Sequence, residues 1–269
     1  MTIRIEPVER DVVRLALSTW RGRAMGYDVS AFVMRGILID TGFPAVRREL
    51  LGAVRAIAPR GGIVTHWHED HAGNAPDLAA AGVPLRMQPG CEAVLRARPS
   101  IALYRRSVWG RPPRLSVTLR EFDPAPLVII PTPGHTEDHV VVWDAERGIV
   151  ASGDLFLGVK VRVAHVHEAP ATLIASLRAV VALAPRLLLD AHRGVIEHPV
   201  ALLRAKIDWM EETIGAVREC ARAGLHEREI QRRVLGAEAL VGLASLGEYS
   251  KISLVRAVLR ERTGVTGTV

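Results

Sequence analysis

The run His66-Trp67-His68-Glu69-Asp70-His71 constrains this chain more than any other stretch of it. It follows the short apolar segment Gly62-Ile63-Val64-Thr65 directly, so a strand must deliver it. Residues two apart on a strand point to the same side, which places His66 and His68 together at the strand's exit. Asp70 and His71 come next, in a loop where the backbone turns and offers further groups. Four metal-competent side chains this close repel when protonated and are costly to bury unpaired. A bound dication removes both difficulties, because it takes deprotonated ligands. Histidine with carboxylate is a usual ligand combination for transition metals in hydrolytic sites.

Three later segments have the same design, a chemical group at the exit of an apolar strand. Pro131-Thr132-Pro133-Gly134-His135 places a histidine after a Pro-Gly turn, and Ser152-Gly153-Asp154 places a carboxylate after Gly148-Ile149-Val150-Ala151. Asp190-Ala191-His192 closes the run Arg186–Leu189. Rigid elements can aim such side chains into one cleft. With the first block they make a set of His66, His68, Asp70, His71, His135, Asp154 and His192.

Apolar alternation predicts strands through the first 40 residues, and helical spacing follows over 44–58 until Pro59 and Gly61-Gly62 stop it. Further helices are expected at 75–81, 90–108 and 170–184. Strands are expected over Pro84–Pro89, Leu115–Phe122, 127–134 and Arg186–His192, with a hairpin pairing Val141–Trp143 with Gly148–Ala151. The strand-helix pattern occurs twice, which predicts a layered α/β sandwich. Residues 1–197 are expected to form the catalytic domain, and 198–269 a C-terminal helical extension packing on it. Within that extension Leu202, Leu203, Ile207, Met210, Ile214 and Val217 recur at helical spacing as one apolar face. The face fits packing on the sandwich, a substrate-pocket wall or a homodimer interface.

Ile39-Asp40-Thr41-Gly42, the His66–His71 block, Gly134-His135-Thr136, Gly153-Asp154 and His192 occur in an order that resembles the metallo-β-lactamase superfamily of metallohydrolases. The resemblance implies a four-layer αββα sandwich carrying extra C-terminal helices. It implies that His66, His68 and His135 hold one metal ion, that Asp70, His71 and His192 hold a second, and that Asp154 bridges them. Asp40 would orient a ligand without coordinating. An aspartate at the bridging position is similar to the glyoxalase II, lactonase and nuclease branches, whereas the true β-lactamases lack it. Gly134-His135-Thr136-Glu137-Asp138-His139 also resembles the lactamase-like endoribonucleases. The glutathione-contacting pattern of glyoxalase II is not evident in Phe156–Lys160.

The implied chemistry is hydrolysis by a metal-bound hydroxide, with Asp70 orienting it and accepting its proton. Two divalent ions are expected, zinc first by ligand type, with manganese and iron compatible with the same donors. His139, His165 and Tyr249 are candidates to contact substrate; His165 and His167 share one face and otherwise form a solvated pair.

The leading expectation is a small-molecule ester, thioester or lactone, and the alternative is a phosphodiester in RNA or DNA. A net charge of +6 and a pI near 10 point toward nucleic acid. Only Lys160, Lys206 and Lys251 among 35 basic residues are lysines, however, and the arginines are spread along the chain. Iron-dependent oxidation of a sulfur substrate, a non-enzymatic role and β-lactam cleavage stand behind these. Cys91 and Cys220 read as isolated thiols. No apolar run reaches membrane-spanning length, and Glu6, Glu9 and Asp11 do not fit a secretory signal, so a cytoplasmic protein without a membrane partner is expected.

Overall fold

The computed structural model describes residues 2–20, 28–98 and 101–262, which fall into two compact units. The first takes up residues 1–131, 138–154 and 185–199; the second takes up 132–137, 155–184 and 200–269.

The first unit holds two sheets. β1 (Thr2–Glu9), β2 (Val12–Ser18), β3 (Val29–Met34), β4 (Ile37–Ile39), β5 (Gly61–Ile63) and β6 (Leu85–Arg86) lie side by side in chain order. β1 to β4 form an antiparallel meander, while β4, β5 and β6 run parallel. Parallel neighbours need crossovers. These are α1 (Arg47–Ile57) between β4 and β5, and α2 (Ala75–Ala80) between β5 and β6. The chain continues through α3 (Pro89–Ala97) and α4 (Leu103–Trp109). The second sheet comprises β7 (Val128–Pro131), β8 (Val140–Asp144), β9 (Ile149–Gly153), β11 (Leu187–Asp190) and β12 (Gly194–Glu197), in the order β12-β11-β9-β8-β7.

Apolar side chains of the two sheets meet in one core. Phe32, Met34, Ile37, Ile39 and Ile63 come from the first sheet and Val142, Ile149, Ala151, Leu187 and Leu189 from the second. The opposite face of the first sheet packs against the helices through Leu15, Leu17, Leu38, Leu50, Val54, Leu78, Cys91 and Leu95. β3, β4, β9 and β11 are therefore buried on both faces, which is why they read as unbroken apolar runs. Each fully buried Leu, Ile or Phe contributes roughly 1.5–3 kcal/mol relative to exposure.

The 141–151 hairpin forms as expected, with Val142 opposite Ala151 and Trp143 opposite Val150. Leu115–Phe122 is not a strand. Its alternation is met by packing, since Leu115 is buried and Val117 and Leu119 lie against the core, while Leu115 N–H donates to Leu95 O at 3.1 Å. The helix expected over 90–108 breaks at Arg98, which adopts a left-handed conformation (φ 53°), and α4 starts only at Leu103; residues 99–100 lie outside the described residues.

The second unit is mainly helical. It comprises α5 (Pro170–Ala182), α6 (Val200–Arg222), α7 (Glu227–Leu235), α8 (Leu240–Ala244), α9 (Lys251–Arg262) and the two-residue strands β10 (Ala164–His165) and β13 (Tyr249–Ser250), which pair. The face of α6 buries Leu203, Ile207, Met210, Ile214 and Val217, and the helix packs on α5. Leu202, expected on that face, is 40% exposed.

Candidate metal centre

Strand ends build the site in the first unit. β4 and β5 run parallel in one sheet and β9 and β11 in the other. Their C-terminal ends deliver Asp40, Thr65-His66, Asp154 and His192. The ends of parallel strands are where α/β sheets place their ligands. Two backbone bonds join the sheets at this edge, Val140 N to Thr65 O at 2.9 Å and Ser30 N to Ala191 O at 2.7 Å.

The loop after β5 folds back on itself, with His71 N and Ala72 N both donating to His68 O, at 3.0 and 2.8 Å. Asn74 fastens the loop by donating from Nδ2 to Thr41 O (2.8 Å) and Phe43 O (2.9 Å). The result turns the 66–71 side chains inward, where His66, His68, Asp70 and His71 are all buried.

Two groups of side chains converge. Ligand atoms of His66, His68 and Asp154 lie within 4.8 Å of one another, as do those of Asp70, His71 and His192. Asp154 reaches both groups. Its Oδ1 is 3.1 Å from His71 Nε2 and 3.2 Å from His192 Nε2, while its Oδ2 is 4.0 Å from His66 Nε2. Asp70 Oδ2 lies 3.5 Å from His192 Nε2 and 3.9 Å from His71 Nε2.

Asp40 stands behind the cluster, where the family resemblance puts it. Its Oδ1 accepts Thr65 N–H at 2.8 Å and its Oδ2 accepts the Thr65 hydroxyl at 2.9 Å and His71 Nδ1–H at 2.8 Å. That last bond fixes the His71 tautomer. A neutral His71 then aims the Nε2 lone pair at Asp154 Oδ1, and two acceptors facing each other at 3.1 Å need a cation between them. Among the described residues no group other than this carboxylate is offered to the buried Nε2 for a hydrogen bond. The donors are imidazole nitrogens and carboxylate oxygens, the set that suits a transition-metal dication.

Burial lowers the His71 pKa, but Asp154, Asp40 and Asp70 together raise it well above the usual histidine range. The same balance, led by Asp154, pushes His192 up to about 9. Burial disfavours the Asp154 carboxylate, yet His71 and His192 hold its pKa well below the usual value. Paired shifts of this kind mark functional sites.

His135 belongs to the second unit, where it is buried with Nδ1 3.3 Å from Glu168 Oε1. Gly134 before it has φ +134°, and a Cβ there would sit 2.4 Å from Leu173 N, so only glycine fits. The residues offered as substrate contacts have protein partners of their own. His139 is buried in the first unit, where its Nε2 accepts Asp154 N–H at 3.1 Å. That bond holds the backbone of Asp154. His165 is not half of a solvated pair, being 2% exposed with Nε2 3.1 Å from Glu248 Oε1, and Tyr249 packs on its ring.

Sequence patterns also missed the ion pair of Glu69 and Arg105, both nearly fully buried and bidentate. Burial raises the Glu69 pKa and Arg105 pulls it back. Trp67 and Glu69 alternate with the ligand residues, and Arg105 lies over the Trp67 ring at 5.9 Å, which braces the loop. Neighbouring arginines at 105 and 106 are visible in the sequence, but only the fold assigns one to Glu69.

The chain belongs to the metallo-beta-lactamase superfamily, whose sequence profile matches residues 26–192. Among relatives, the Beta-lactamase-like protein 2 homolog of Caenorhabditis elegans is 27% identical over 172 residues, 57% of this chain and 54% of that protein. An Atrochrysone carboxyl ACP thioesterase of Aspergillus fumigatus is 30% identical over 158 residues, 58% of this chain and 32% of that protein. The chain thus spans about half or less of the length of these relatives. A metallo-beta-lactamase family protein from Thermus thermophilus superposes with a TM-score of 0.67, covering 96% of both chains at 17% identity. The metallo-beta-lactamase FIM-1 from Pseudomonas aeruginosa, in its mono-zinc form, gives 0.58 and 18%, covering 79% of this chain and 96% of that one. These likenesses confirm the αββα sandwich. Among the described residues no helix is long and apolar enough to cross a membrane.

Proposed function

We propose that the chain is a dinuclear-metal hydrolase of small acyl substrates, with a thioester first and esters and lactones behind it. The observation that carries this reading is the reach of Asp154 into both groups of donors, with His71 Nε2 and His192 Nε2 3.1 and 3.2 Å from one oxygen. In this reading His66, His68 and His135 would hold one ion and Asp70, His71 and His192 a second, with Asp154 available to both. Zinc suits these donors first, and manganese or iron is compatible with them. The names of relatives favour a thioester, since one is a thioesterase acting on a carboxyl-ACP substrate by its printed name.

When bound, a pair of dications lowers the pKa of water and polarises a carbonyl oxygen. The protein's own residues supply order and proton transfer. Asp40 keeps the proton of His71 on Nδ1, so that Nε2 faces the site. His139 holds the backbone of Asp154 and so orients its carboxylate. Asp70, beside His192 and His71, orients the attacking water, takes its proton and passes it to the leaving group.

The test is metal analysis together with initial rates on a panel of thioesters, esters, lactones, phosphodiesters and β-lactams. We expect about two metal equivalents per chain and preferred thioester turnover. Asp70→Asn should lower turnover by roughly 10²–10⁴-fold. Undiminished turnover after metal stripping, or cleavage of phosphodiesters alone, overturns the reading.

A further inference from the structure

We infer that Glu168 is a positioning residue for His135, which rests on the reading of His135 as a metal ligand. The segment 165–169 holds residues 134–135 through two contacts inside the second unit, and two hydrogen bonds of its own close its turn. Glu168 N donates to His165 O at 3.1 Å, and Glu168 Oε1 accepts His165 N–H at 3.1 Å. The same oxygen is 3.3 Å from His135 Nδ1, and Ala169 N donates to Gly134 O at 2.8 Å. Gly134 is pressed onto Leu173 closely enough to exclude any Cβ, so the backbone carrying His135 has little freedom.

A carboxylate oxygen facing Nδ1 favours the tautomer with the proton there and leaves Nε2 as the lone-pair donor. Asp40 does the same for His71, so two separate carboxylates set the tautomers of two histidines. The Glu168 side chain is only 12% exposed, which limits its exchange with water. Its turn is anchored from residues 248–250 of the C-terminal segment. His165 pairs with Tyr249 in the β10–β13 ladder, and its Nε2 lies 3.1 Å from Glu248 Oε1. Residues 248–250 thus brace the turn that carries Glu168, which gives the C-terminal segment a part in ordering a ligand.

The experiment compares wild type, Glu168→Ala, Glu168→Gln and His135→Ala during stepwise loading of the full chain with Co(II). It follows binding, the visible spectrum and the unfolding midpoint of each metal-free protein. Glu168→Ala should weaken one of the two loading steps by roughly 10–100-fold and change the spectrum of that step, with the metal-free midpoint near wild type. Glu168→Gln keeps an oxygen that accepts from Nδ1–H and should stay within a few-fold of wild type. Both steps unchanged in Glu168→Ala, or both weakened equally with a lowered midpoint, overturn the inference. His135→Ala separates the two levels. Loss of one step there, with Glu168→Ala silent, sinks the role of Glu168 alone; two intact steps in His135→Ala sink the ligand assignment and this inference together.

Discussion

Asp40 and His71 lie 31 residues apart and share a hydrogen bond of 2.8 Å, from Nδ1–H to a carboxylate that also takes the backbone N–H and hydroxyl of Thr65. Asp40 is held for this purpose in a left-handed conformation, φ 63°, with its own N–H on Ile63 O at 2.9 Å. Aspartate is among the few non-glycine residues that tolerate such a conformation. The bond decides which nitrogen of His71 faces Asp154.

Asp40→Asn therefore tests tautomer control. The amide oxygen must serve Thr65 N–H, which leaves the NH2 facing His71 Nδ1 and drives the imidazole proton to Nε2, toward the cluster. Metal affinity should fall by roughly 10–100-fold while the fold persists. Competition titration against a chromophoric chelator measures it, and wild-type affinity in the variant would remove Asp40 from the account.

Gly153 sits at φ +49°, and an added Cβ would lie 2.8 Å from His139 Nε2 and 2.9 Å from Thr65 Oγ1. Gly153→Ala should destabilise the protein by about 2 kcal/mol or more, combining backbone strain and overlap beside Asp154. Gly52, within α1, meets nothing within 4 Å of an added Cβ. Gly52→Ala should instead stabilise by about 0.5–1 kcal/mol, because alanine favours a helix interior. Urea denaturation of both variants gives the comparison, and equal effects would contradict the packing described for Gly153.

The stability of metal-stripped protein should fall as pH rises through the alkaline range. His192 has its pKa raised from 6.5 to about 9, because Asp154 and Asp70 outweigh burial. A raised folded-state pKa stabilises fully below the unfolded value of 6.5 and is lost as pH passes about 9. The span is on the order of 3 kcal/mol. Urea midpoints in chelator between pH 6 and 10 should show the decline, and His192→Gln should make it shallower, with the raised His71 supplying the rest. Metal binding runs the other way, tightening with pH because the ligands must lose protons. A flat profile in the stripped wild-type protein would show that His192 carries no such charge.

Much of the site was legible because its chemistry is local in sequence. The His66–His71 block needs its residues close together on one strand exit, and His135, Asp154 and His192 each follow an apolar run that the period of a strand reveals, whereas Asp40 entered only through the family resemblance. The buried β3, β4, β9 and β11 read as unbroken apolar segments for the same reason.

Alternation alone could not tell a paired strand from a segment that packs without a ladder. Leu115–Phe122 is of the second kind, since pairing is decided by a neighbouring strand and not by the segment itself. Nor could spacing reveal that His139 holds the backbone of Asp154, that His165 is buried against Glu248, or that Arg105 neutralises Glu69. Residue types determined which groups can bind metal and carry charge. Tertiary packing decided which of them meet, because the partner of a buried polar group is whatever the fold brings within about 3 Å, at any separation along the chain.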